Sequence, residues 1–161
     1  MSDLPNQWQI NPQGFFSRHF DLFRDGQVVA SLQMSFWTEG CRFTLAGHEF
    51  QIERVSLWKD GFRLVAGGES VCDVRRTFWS RQFELFAADE NWILQPTGWF
   101  TRDFHLLAGP AEVGRIQPFG WLTRKRVAWF SDSVPLPVQV LAIFLVLLVS
   151  QRQQQKRAPG G

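Results

Sequence analysis

Apolar and polar residues alternate along most of this chain with the period of a β-strand. In residues 27–36, Ala30, Leu32, Met34 and Phe36 share one face, which is the pattern of a strand with one buried side. Residues 15–24 carry the same signal through Phe20 and Leu22, and Asp25-Gly26 between the two segments is a hairpin signal. Residues 41–46 and 49–58 predict a second pair around Gly47-His48, after which Lys59-Asp60-Gly61 turns the chain again.

The pattern then recurs. Phe20, Phe62 and Phe104 lie 42 residues apart, and so do Leu22, Leu64 and Leu106; Val29, Val71 and Val113; and Trp37, Trp79 and Trp121. Leu32, Val74 and Ile116 keep the offset with similar residues, as do Phe43, Leu85 and Val127. Gly26 and Gly68 match at a turn, with Pro110 in the third copy. Three β-rich units of about four strands each predict about twelve strands joined by short loops. No helical pattern precedes residue 134.

From residue 134 the chain changes character. Pro135 and Pro137 suit a helix entrance, where a missing N–H costs nothing. From Val138 to Val149 the run is apolar on every side except at Gln139, and such a helix must be buried all round, in a bilayer or inside a protein. Leu136 to Ser150 makes roughly 22 Å of helix against about 30 Å of hydrocarbon. The flanks give no orientation signal, with Arg124, Lys125 and Arg126 before the segment and Arg152, Lys156 and Arg157 after it. A barrel of about twelve strands, meanwhile, encloses a space too wide for its own side chains. The expected fold is therefore mainly β, a closed antiparallel barrel of about twelve strands over residues 15–150 around the apolar helix 136–150. Residues 1–14 read as an N-terminal extension and 151–161 as a disordered polar tail. A single-pass C-terminal anchor beneath a cytosolic β-domain is the alternative.

Composition narrows the function classes. The 161 residues are 45% hydrophobic and 15% aromatic, all Phe and Trp, as suits a folded domain. A net charge of +2 does not call for nucleic acid as a partner. Cys41 and Cys72 show neither metal-ligand spacing nor a disulfide framework, so reduced thiols in a cytoplasmic setting are expected. The first residues, Met-Ser-Asp-Leu-Pro-Asn-Gln, have no basic and no apolar signal region.

Candidate chemistry is sparse. His19, His48 and His105 are scattered, so no metal and no cofactor are expected. No Gly-x-Ser-x-Gly elbow and no Gly-rich phosphate loop occur, and Gly67-Gly68 and Asp60-Gly61 read as turns. No catalytic residue can be nominated, and a non-enzymatic protein is expected. The surface feature that stands out is basic. Arg75, Arg76 and Arg81 flank a turn in the second unit; Arg124, Lys125 and Arg126 occupy the matching region of the third. Trp79 and Trp121 lie beside these clusters, a combination suited to an anionic membrane surface. The same residues also fit a solvated strand end with one core Trp per unit, because Trp37 recurs without a basic cluster.

The Phe-x-Leu…Gly…Val strand pairs starting at Phe20, Phe62 and Phe104, with the terminal segment Leu136 to Val149, resemble the tubby-like fold. That superfamily includes the tubby C-terminal domain, the phospholipid scramblases and the plant LURP-one-related proteins. The likeness spans residues 15–150 and is nearest to the short, single-domain members. It implies a helix threaded through the barrel and a protein, expected as a monomer, that binds anionic phospholipid or a protein partner at the membrane surface. Tubby domains bind phosphoinositide head groups through basic residues, and scramblases are associated with calcium-dependent lipid movement. Neither activity carries over residue by residue. The phosphoinositide ligands have no matched positions here, and the nearest acidic stretch, Ala87-Ala88-Asp89-Glu90-Asn91, reads as a turn.

Overall fold

The alternating segments form twelve antiparallel strands. The computed structural model of the chain describes residues 7–14, 18–35, 39–56, 61–76, 81–99, 101–120 and 124–157. The strands are β1 (Gln7–Pro12), β2 (His19–Arg24), β3 (Gln27–Met34), β4 (Cys41–Leu45), β5 (His48–Ser56) and β6 (Gly61–Ala66). They continue as β7 (Glu69–Arg76), β8 (Phe83–Phe86), β9 (Asn91–Pro96), β10 (Phe104–Ala108), β11 (Ala111–Pro118) and β12 (Arg126–Phe130), and α1 (Leu136–Arg157) follows. Each strand pairs with its sequence neighbours, and β1 closes the barrel against β12 through Gln7↔Trp129 and Ile10↔Arg126. Closure leaves no open sheet edge.

The twelfth strand comes from the stretch read as an N-terminal extension. The third unit supplies only β10, β11 and β12 before the chain turns into the helix, so the seam needs a strand from elsewhere. β1 fills it, with Trp8 and Ile10 pointing inward at 0% exposure. Its alternation is confined to Gln7-Trp8-Gln9-Ile10, too short a run to stand out locally.

Turn chemistry sets the register. Asp25-Gly26 (φ 52° and 76°), Ala46-Gly47 (52° and 79°) and Gly67-Gly68 (58° and 82°) have both central residues left-handed, as type I′ hairpins require. The second turn thus lies one residue earlier than Gly47-His48. Ala in that region costs about 1–2 kcal/mol, so local preference argues against it. The pairing Leu45↔His48 and Phe43↔Phe50 overrides the preference, because a one-residue slip would turn buried Phe50 out to solvent. The register shifts at Leu22/Phe23, Arg54/Ser56, Leu64/Val65 and Leu106/Leu107.

The helix fills the barrel. Every residue from Val138 to Leu148 is at most 4% exposed. Phe144 meets Phe62 of the wall edge-on, with centroids 5.9 Å apart and planes at 78°. Leu136–Gln154, with a mean hydropathy of 1.5, is also long and apolar enough to cross a membrane by length and composition. The helix continues to Arg157, past the stop expected at residue 150. Gln, Arg and Lys are good helix formers, and the first breaking signal is Pro159, which disfavours helix in the residue before it. Residues 158–161 lie outside the described set, as do Trp37, Trp79 and Trp121 of the repeat.

The polar exception in the helix is accounted for. Trp8 Nε1 donates to Gln139 Oε1 at 2.8 Å, and Gln139 Nε2 donates to the Val134 carbonyl at 2.8 Å. Trp8→Phe is therefore expected to lower stability by about 1–3 kcal/mol, since it strands a buried acceptor. Adding Gln139→Leu should recover part of that loss, a pattern that urea unfolding of the four-member cycle would read. At the other side of the seam a Cβ on Gly114 would lie 2.5 Å from the Phe130 ring. Glycine there lets that fully buried ring lie across β11. Both cysteines are free, buried thiols pushed up to about 12 by loss of water.

Candidate functional site

In an up-and-down barrel every second connection lies at the same end. The tight turns β2–β3, β4–β5, β6–β7, β8–β9 and β10–β11 gather at one end, where the helix enters after β12. The longer connections β1–β2, β3–β4, β7–β8, β9–β10 and β11–β12 gather at the other, where the helix C-terminus emerges.

Charge is divided between these ends. Asp25, Glu49, Glu69, Asp89, Glu90, Glu112 and Asp132 lie at or beside the tight turns and the helix entrance, against Arg24. The opposite end carries Arg18, Arg75, Arg76, Arg81, Arg102, Arg124, Lys125 and Arg152, against Glu39, Glu84 and Asp103. The helix dipole favours cations at its C-terminus by about 0.3–1 kcal/mol, but only within the last turn. Arg152, five residues before the helix end at Arg157, lies outside that turn, as do Arg75, Arg76 and Arg81, so the dipole does not account for them.

Three neighbouring loops at this end form a basic and aromatic arc. Arg75, Arg76 and Arg81 flank the β7–β8 connection. Trp99 and Arg102 sit on β9–β10, and Phe119, Arg124 and Lys125 on β11–β12. Backbone bonds hold the last two loops: Thr97 N–H to the Asp103 carbonyl (2.9 Å) and Phe119 N–H to the Lys125 carbonyl (2.8 Å). Arg81 Nη1 donates to the Trp99 carbonyl at 3.5 Å, linking the first loop to the second. Trp99 is 86% exposed and Phe119 60%. Across the barrel two of the basic groups share one carboxylate. Glu39 accepts Arg54 at 2.7 Å and Arg152 at 2.8 and 2.9 Å, which ties the β3–β4 connection to the helix end.

The six basic residues picked out in the sequence share this end but divide by depth. Arg75, Arg81 and Lys125 are exposed. Arg76 is half-buried, its guanidinium 5.4 Å from the centre of Phe83. Arg124 is also half-buried, 5.4 Å from Phe20, and donates to the Gly14 carbonyl at 3.4 Å. Arg126 does not belong to the surface. It follows the inward parity of Ala128 and Phe130, is 4% exposed, and donates through Nη2 to Ser150 Oγ at 2.5 Å. Burial, with Arg102 nearby, pushes its guanidinium down to about 10, still charged at neutral pH.

Trp99, Arg102 and Phe119 were not singled out from the sequence. The signal for them was available in the up-and-down order itself, which puts the β7–β8, β9–β10 and β11–β12 loops together. Among the described residues no three His, Cys, Asp or Glu side chains converge as metal ligands. Ala87-Ala88-Asp89-Glu90-Asn91 is the β8–β9 turn, closed by Ala87 N–H to the Glu90 carbonyl at 2.9 Å, at the end opposite the arc. No family model, curated protein or solved structure matches this chain.

Proposed function

We propose that this protein is a non-enzymatic barrel, related to the tubby-like group, that docks its long-loop end on an anionic phospholipid surface. The observation that carries the reading is the arc on three adjacent loops, where exposed Trp99 and Phe119 alternate with Arg75, Arg81, Arg102 and Lys125. Each basic group near such a surface contributes about 1 kcal/mol, and an aromatic side chain beside it suits the interface. The acidic residues of the opposite end orient the barrel by repulsion from the same surface. The relationship to tubby-like proteins draws support from the strand-pair pattern and from a helix along the axis of a twelve-stranded barrel.

Vesicle co-sedimentation tests the docking. Binding is expected to phosphatidylserine-containing vesicles, to weaken with salt, and to fall roughly a hundredfold in Arg75→Gln/Arg81→Gln/Lys125→Gln, which removes about 3 kcal/mol. Equal binding to neutral vesicles, or binding that survives the triple change, would sink the proposal and favour a protein partner. The second reading is a tail anchor, favoured by the length and hydropathy of Leu136–Gln154. It requires the helix to leave the barrel.

A further inference from the structure

Arg126 is the one described side chain with a fully buried polar atom, Nη1, that has no hydrogen-bond partner. A charged group 4% exposed normally has a counter-charge, because taking it out of water otherwise costs several kcal/mol. Here the neighbouring charge is of the wrong sign: Arg102 opposes Arg126 more strongly than Asp103 supports it. Ser150 is already committed, accepting from Nη2 and donating to the Val146 carbonyl at 3.0 Å. Arg126 lines a cavity of about 20 Å³ at the long-loop end, beside Arg102, Arg124 and Ser150. That volume holds one water-sized group.

The geometry points to an oxyanion site at this mouth. One oxygen of a phosphate-type anion enters the cavity against Arg126 Nη1, and the rest stays outside, facing Arg102 and Arg124. Three guanidinium groups around one small opening suit a doubly charged phosphomonoester better than a carboxylate, since the dianion offsets more of the three positive charges and offers three terminal oxygens rather than two for charge-assisted N–H bonds. The inference rests on the docking proposal only for the source of the phosphate, which is a lipid headgroup or the free ion.

Thermal unfolding with inorganic phosphate against chloride at constant ionic strength tests the site alone. A saturable rise is expected with phosphate, weakened about tenfold in apparent affinity by Arg126→Met. If that variant does not fold, Arg102→Met/Arg124→Met carries the same expectation from the cavity mouth. A linear rise shared by the wild type and the variants is a general salt effect, means the cavity holds water, and overturns the site. Vesicles of matched charge then separate the sources. A preference for phosphatidic acid over phosphatidylserine, competed by inorganic phosphate, assigns the lipid headgroup; saturable phosphate binding without that preference assigns the free anion. Phosphatidylserine binding with no phosphate response would overturn the site and leave the docking proposal standing.

Discussion

Ending the chain at Ser133 is expected to abolish the fold rather than release a soluble barrel. From Val138 to Leu148 the helix places nine large apolar side chains at no more than 4% exposure inside the strands. At about 1.5–3 kcal/mol each, their burial contributes on the order of 15–25 kcal/mol, more than the typical net stability of about 5–15 kcal/mol. The wall cannot recover this by contraction, because a barrel's diameter follows its strand number. The truncated chain should therefore show no cooperative urea transition and should expose its inner leucines and phenylalanines to aggregation. A tail anchor makes the opposite forecast. Its β-domain would melt cooperatively after truncation, and the full chain would need detergent. Circular dichroism and urea unfolding of the truncated and full-length proteins decide between them.

A single atom-level change should be nearly as informative. Phe144→Ala is expected to destabilise by about 3–5 kcal/mol, since it opens a cavity at a helix residue with 0% exposure. A cooperative unit of this size loses about 2–4 °C for each kcal/mol, so the melting temperature should drop by roughly 10 °C. The edge-on contact with Phe62 should appear as coupling of about 0.5–1.5 kcal/mol in the cycle with Phe62→Ala. A loss under 1 kcal/mol at Phe144 would mean that the ring does not sit in the barrel core.

Most of the wall was legible because a strand with one buried face must alternate. Phe20, Leu22, Ala30 and Leu32 showed the alternation and are all buried. The apolar run after Pro137 was legible for a related reason, since no surface helix can be apolar on all sides. The turn at Ala46-Gly47 was less so. Its backbone conformation is set by the pairing of Phe43 with Phe50, and Ala by itself disfavours it. The strand β1 was missed because its role exists only at the seam between β2 and β12.

The site divides in the same way. The basic clusters at residues 75–81 and 124–126 were visible as charge in the sequence, yet exposed Arg75 and buried Arg126 look alike there. Depth is a property of the barrel: β12 begins at the rim with inward parity, and that alone carries the Arg126 guanidinium inside, beside Ser150 of the helix. Local alternation and all-round hydrophobicity dictated most of the strands and the apolar helix, because those depend on neighbours a few residues away. Barrel closure decided which strand seals the seam, which loops share an end and which arginine is taken out of water. Each of these depends on contacts between residues far apart in the chain, such as Arg126 with Ser150 and Trp8 with Gln139.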